Sequence, residues 1–494
     1  MSEASSAEKG HLHHDGGIRT VGGAAPREDN DLAALGYKQE LNRNRSVYTI
    51  LFQVLAITAV PFGEGTALTS AIIGGGQLAY FVGWIVVVIL DQCVAVSLSE
   101  IASKFPTSSG PYYWTYQLLP EGRARTIASF ITGWVWLIGN LTICLSVNFG
   151  TASLLAGTAT IYHPDWFASD WQLLLIFYAV CIATFLVCAF GNRVLPYVDT
   201  VASVWNGLTI LIVCIALSVV ADAGRHSAGY ALANYDKSFS GWGNFTFFIG
   251  LLPAAYTFAA IGMITSMAEE VADPSKDVPN ALSLVVPISG IAGLFFILPI
   301  CFTMPPLEDV LNAPAAQAMP YIFHTVMGTP GGGLALMFFL LGVAVFCCIS
   351  ITTAASRTTW AMARDQAIPL SSMLLGLINL GSTSAFTAFA SCGVIALAAA
   401  YAIPIGISLF GGRKAVSTAR WRCPALIGYV VNVVSVGWIG FQLVLFSMPA
   451  ALPVTVVSMN YASVVFVGFM FISLLYYVAY GRRVYHGPPA SDGL

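Results

Sequence analysis

Several windows of 20 or more residues in this chain carry no Asp, Glu, Lys or Arg, and that feature restricts its fold most. Wound as a helix, such a run crosses roughly 30 Å of hydrocarbon, the core of a bilayer. The stretch 385–410, AFTAFASCGVIALAAAYAIPIGISLF, is one example. Lipid offers backbone N–H and C=O groups no partner, so such segments must close their hydrogen bonds internally. Of the 494 residues, 57% are hydrophobic and only 9% charged, with mean hydropathy +0.77. Soluble domains carry about 25% charged residues. Weak alternation argues against an outer-membrane barrel, whose strands are about ten residues long. The expectation is an all-α polytopic membrane protein, one bundle embedded in a lipid bilayer.

Spans are expected over 48–72, 78–102, 126–156, 171–190, 194–221, 244–268, 280–303, 332–362, 385–410, 424–447 and 452–480. Lysine and arginine set the orientation, because basic residues are retained in cytosolic loops. Lys38, Arg43, Arg45, Lys104, Arg123, Arg125, Arg193, Lys276, Arg357, Arg364, Arg413, Lys414, Arg420, Arg422, Arg482 and Arg483 fall on one side if the chain crosses an even number of times between groups. The opposite loops hold only Arg225 and Lys237, so both termini are expected in the cytosol. One place resists this scheme. Between Arg364 and Arg413 lies one full span, preceded by LSSMLLGLINLGS (370–382), barely half of one. The polar, apolar-poor N-terminus reads as a disordered cytosolic tail (1–45), followed by the transmembrane domain (46–480) and a cytosolic C-terminal tail (481–494).

Ionisable residues inside a span are functional candidates by default. Asp91 lies midway along the second span and Asp199 near the start of the fifth; both also fit a structural hydrogen bond or ion pair. Glu100, Glu269 and Glu270 lie near cytosolic ends, where solvation makes them inexpensive; Glu269 and Glu270 are also candidates for gating. Glu64 differs, because AVPFGEGTAL (59–68) surrounds it with helix breakers. Pro61 removes a backbone donor, and Gly63 and Gly65 permit conformations closed to other residues. Unwound backbone at membrane depth has to be buried in protein or line a wet cavity. A milder interruption surrounds Gly262 in the sixth span, YTFAAIGMITSMAEE (256–270). Breaks five spans apart are the pattern of a 5+5 inverted repeat with a midplane site. Ten cysteines and seven histidines form no metal spacing and no nucleophile–base pair, and no phosphate-binding loop is present. No enzyme activity, cofactor, metal or nucleic-acid partner is expected.

Three cytosolic segments together are similar to one family. EIASKFPTSSGPYYW (100–114), MAEEVADPSKDVPNAL (267–282) and ASRTTWAMARDQAIPLS (355–371) resemble, in order, signatures of the amino acid–polyamine–organocation permeases, and within them the fungal amino acid/choline/GABA permeases. The resemblance implies a LeuT-type fold of nominally twelve helices, and transport by alternating access, commonly coupled to protons. It places a small substrate, an amino acid or amine, between the broken first and sixth helices. The contacts it implies are Pro61, Phe62, Gly63, Glu64, Gly65 and Thr66 from the first helix and Tyr256, Phe258, Ala259 and Gly262 from the sixth, with Phe258 as an aromatic lid. Plasma or vacuolar membrane is the implied location; a permease-like nutrient sensor and an inactive paralogue are the alternatives. Two departures stand out. After Ser371 the chain is short by about twenty residues, a span's worth, so the ninth helix reads as truncated. Glu64 also stands where an uncharged residue is expected, as a counter-ion for an amine or as the proton-coupling group.

Overall fold

The computed structural model describes residues 32–489 apart from 42, 44, 192–193, 223, 314–316, 369–382 and 456–458. Among the described residues, eleven helices are long and apolar enough to cross a membrane. They are α1 (Val47–Thr66), α2 (Gln77–Lys104), α3 (Arg123–Ala159), α4 (Asp170–Phe190), α5 (Leu195–Val219), α6 (Gly243–Glu270), α7 (Pro274–Thr303), α8 (Pro330–Arg364), α9 (Thr383–Phe410), α10 (Ala425–Leu445) and α11 (Ala462–Val484). No strand occurs among the described residues; one β-bridge joins Arg45 to Val271. The shortened ninth span and Arg193 fall in stretches outside the described residues.

Helix ends follow local chemistry. Ser46 and Thr49 cap α1 reciprocally, and Ser169 and Gln172 do the same for α4. Thr329 caps α8 through the Gly332 N–H, with Pro330 in the first turn, where its missing donor does no harm. The last span, expected from 452, starts only at Ala462. The chain before it turns away, and the Leu452 N–H bonds the Ser240 carbonyl at 2.8 Å.

Packing relates the first five helices to the next group. α2 pairs with α7 and α3 with α8; α3 packs on α9 as α8 packs on α5; α1 packs on α5 as α6 packs on α9. This exchange of partners is the inverted repeat of a LeuT-type bundle. With no hydrophobic drive between helices in lipid, close backbone approach through small residues holds them together. α3 and α9 use glycines on both sides: a Cβ on Gly139 would stand 2.9 Å from the Leu397 backbone nitrogen, and one on Gly393 3.1 Å from that of Ile143. α3 and α6 are the most enclosed helices, while α4 and α11 present Phe185, Phe190, Val464 and Phe471 outward as a lipid-facing belt.

The expected tail extends less far into the chain than residue 45. From Leu32 the N-terminal segment lies on the bundle, with Leu32, Leu35, Tyr37 and Arg45 buried. Tyr113 donates to the Leu35 carbonyl at 2.9 Å. At the other terminus Gln117 donates to the Pro489 carbonyl, also at 2.9 Å, and Tyr485 is buried against Phe130. Both ends of the described chain therefore rest on the α2–α3 connection, on one face of the bundle.

Candidate functional site

α1 breaks at Ala59, which adopts the left-handed conformation (φ 39°, ψ 57°). Its carbonyl accepts from both Phe62 and Gly63 (2.8 and 3.1 Å), so a second short helix, Val60–Thr66, restarts at once. On the preceding turn, Cys347 of α8 donates its thiol to the Ile57 carbonyl at 3.4 Å. Gly63 lies directly against Thr257 of α6, and any Cβ there would collide with the threonine hydroxyl. The next residue, Glu64, is buried. The Thr257 hydroxyl has one hydrogen and two acceptors: the Pro253 carbonyl at 2.9 Å and Glu64 Oε1 at 3.4 Å. Both contacts are satisfied together when the Glu64 carboxyl itself carries a proton. Among the described residues no Lys, Arg or His pairs with it; Tyr80 of α2 and Cys301 of α7 stand nearby.

α6 changes form at the same level. An α-helical first part (Leu252–Ala259) ends at Ala260, and ten residues, Ile261–Glu270, continue as a 3₁₀ helix. Runs of 3₁₀ beyond three or four residues are uncommon and mark hinges or strain. Tyr401 of α9 donates to the Ala259 carbonyl at 3.0 Å, and its ring fills the space beside Gly262, where a Cβ would stand 2.5 Å away. Tyr256 shares a hydrogen bond with Ser146 of α3 (2.9 Å), while Phe258 packs on Trp84 with ring centroids 5.1 Å apart.

The structure thus gathers Gly63 and Glu64 with Thr257, next to Tyr256, and places Ala259 and Gly262 under Tyr401. Other residues singled out in the sequence point elsewhere. Gly65 faces Met319 on the helix Ala318–Met327, and Thr66 returns its hydroxyl to the Phe62 carbonyl at 2.7 Å. Phe62 and Pro61 are buried in the same short helix. Thr257, Tyr401, Ser146 and Cys347 went unnoticed in the sequence, since uncharged residues on continuous apolar helices carry no local signal of what they face.

Asp199 bonds Arg45 at 2.9 Å and Ser350 at 2.8 Å, an ion pair rather than a site at membrane depth. Glu270 joins the same cluster through Arg45 (3.2 Å) and Arg357 (2.5 Å). Glu269 accepts from Arg364 at 2.9 Å and from the Ser108 N–H at 3.1 Å. Glu100, expected to be solvated, is buried and accepts from Arg413 (2.5 Å) and the Cys423 N–H (2.7 Å). Burial would make these carboxylates expensive without partners, and each has one. On the same face Tyr37 and Tyr112 donate to Asp365 Oδ2 at 2.8 and 2.7 Å. Burial pushes the Asp365 carboxyl above the usual carboxylate range, against the opposing pull of Tyr112, Arg364 and Tyr37. Among the described residues no group of three or more His, Cys, Asp or Glu is arranged for a metal.

A bundle of broken and paired membrane helices with a buried midplane carboxylate is the architecture of a solute carrier, and known proteins agree. The family model "Amino acid permease" matches residues 50–471, most of the chain, and the chain belongs to that family. It is 29% identical to the amino-acid permease BAT1 of Arabidopsis thaliana, over 92% of this chain and 95% of that protein. It is 25% identical to a choline transporter of Saccharomyces cerevisiae (97% of this chain, 89% of that one) and 27% identical to the polyamine transporter TPO5 of the same yeast (94% and 80%). The protein is a multi-pass membrane transporter of small molecules, not an enzyme.

Proposed function

We propose that this permease is a secondary active transporter for an amino acid, GABA or a related amine such as choline. It works by alternating access and is driven by protons, with its basic face and both termini in the cytosol of a plasma or vacuolar membrane. The observation that carries this reading is Glu64: a buried acid in the break of α1, without a basic partner among the described residues, sharing one hydroxyl with the break of α6. In a membrane interior such a group needs either a proton or a bound cation. An ammonium group meets that need from the substrate; a proton meets it from the gradient. The relatives named for amino acids, choline and polyamines all carry amino or ammonium groups, which agrees with an acidic site. α1, α2, α6 and α7 pack together and form the moving unit, which rocks against the rest.

Radiolabelled GABA, arginine, spermidine and choline, offered to cells lacking their own permeases, test the reading. Accumulation of one or more above background is expected; none, at normal surface expression, overturns it. Glu64→Gln keeps shape and removes charge. It is expected to reduce uptake of the cationic compounds or its pH dependence by roughly tenfold or more, since a charged hydrogen-bonded contact is worth about 1.5–3 kcal/mol. Unchanged uptake and pH profile would remove Glu64 from the site.

A further inference from the structure

A second acid lies in the membrane interior behind the α6 break, in a place of its own. Asp91, midway along α2, accepts from the Trp438 indole of α10 through Oδ1 at 2.8 Å. Its other oxygen, Oδ2, is buried and has no hydrogen-bond partner among the described residues. The carboxylate lines a small cavity with Val94 of α2, Phe258, Ala259 and Ile261 of α6, and Tyr401 and Gln442 of α9 and α10. The cavity measures about 10 Å³, room for about one water. It touches α6 where the α-helix gives way to 3₁₀, and Tyr401, which closes its wall, is the residue bonded to the Ala259 carbonyl.

Charge is what this place lacks. Of the groups facing Asp91, Tyr401 on α9 and Cys93 on α2 itself are titratable, while α6 contributes Phe258, Ala259 and Ile261 and α10 contributes Trp438 and Gln442, none of which ionises. No Lys, Arg or His of the described residues pairs with it. A bare carboxylate so enclosed is costly, so the group is stable when a cation neutralises it. The space admits a proton with one water and is smaller than any of the amines named above.

We propose that Asp91 and its cavity form a proton-binding site separate from the Glu64 site, through which protonation sets the conformation of α6. The step is simple: hydronium gives a proton to the free Oδ2 and becomes water, and once α6 has moved the proton leaves by the same oxygen to a water molecule on the other side. Protonation turns that oxygen into a donor facing the cavity. The change is felt at Tyr401 and at Ala259, two residues past the Thr257 that meets Glu64. The proposal rests on the transport reading, and its test separates the two.

Purified protein is reconstituted in liposomes loaded with a pH-sensitive dye, and the probe is whichever of GABA, arginine, spermidine or choline the wild type exchanges. Wild type should show both substrate counterflow, which needs no net proton movement, and substrate-driven acidification of the lumen. Asp91→Asn, neutral and of the same shape, should keep counterflow while acidification falls by about tenfold or more, within the usual range of coupling between sites. Acidification equal to wild type overturns the proposal. So does loss of counterflow together with acidification, which would make Asp91 a structural or substrate contact. Sodium-dependent uptake without acidification in the wild type overturns it too, in favour of a metal cation. Absence of counterflow in the wild type fails the transport reading itself. If Asp91→Asn does not reach the membrane, Trp438→Phe carries the test. Displacing the pH midpoint of uptake supports the site, whereas scaling the rate equally at every pH refutes it.

Discussion

Ala59 holds a backbone conformation that suits glycine, and the break in α1 depends on it. A left-handed residue other than glycine costs about 1–2 kcal/mol, and a β-branched side chain fits there worst. Ala59→Gly is therefore expected to keep surface expression and uptake, while Ala59→Val reduces both several-fold, as read by fluorescence-detected size exclusion and uptake in one preparation. Equal behaviour of the two variants would mean the turn is not constrained. The break itself was legible in the sequence, because Pro61, Gly63 and Gly65 are poor helix residues in the middle of an apolar span. Which residue takes the strain was not. Ala59 has nothing unusual about it until the Leu55 carbonyl and the restarting helix determine its dihedral angles. The acids divide the same way. Their rarity in apolar spans marked Glu64, Asp91 and Asp199 as worth explaining, but Asp199 finds Arg45 154 positions away, and no local pattern encodes that distance.

Among the elements, the apolar spans were readable, most of them to within about three residues at each end. The first ends six residues early, the seventh begins six early and the last begins ten late. The N-terminal strap was not readable. Leu32, Leu35 and Tyr37 are too few and too scattered to announce a packed segment, and only the tertiary groove gives them a place. Asp365 is the strap's main polar anchor, reached by Tyr37 from the strap and Tyr112 from the helix Pro111–Leu118. Its carboxyl is shifted upward by burial, against the pull of the Tyr37 hydrogen bond, and Tyr37 of the strap is among the groups that cover it; the expectation is that the strap docks more tightly on the protonated acid. Docking should therefore strengthen as pH falls through the interval above the ordinary carboxylate range, and weaken as pH rises through it. Limited proteolysis between Leu32 and Arg45 is expected to slow on acidification in the wild type and to lose that dependence in Asp365→Asn. Cleavage that speeds up with acid would contradict this sign. The ion pairs behind the strap tie α1, α5, α6 and α8 at one end.

Across the whole molecule, a count of crossings is decisive. Eleven described spans are an odd number and would leave the termini on opposite faces, yet Tyr37 and Pro489 both touch the connection after α2. The chain leaves α8 at that face and regains it at Arg413, after α9. One crossing is therefore unaccounted for among the described spans. Adding about twenty residues after Ser371, one span's worth, is expected to raise surface expression and thermal stability in detergent; a fall in both would show that the short connection is the working one. The topology conflict was visible in the sequence because charges near span ends obey a strong rule; the packing that gives it weight, with both ends of the described chain on one face, needed three dimensions. The 3₁₀ half of α6 bears on the same axis. Ten residues measure about 20 Å wound this way and about 15 Å wound as an α-helix. Rewinding would draw Glu269 and Glu270, with the arginines they grip, about 5 Å toward the middle of the bilayer. A rod that rewound this way would telescope, and would pass a signal between face and interior by changing its length while its direction stayed the same.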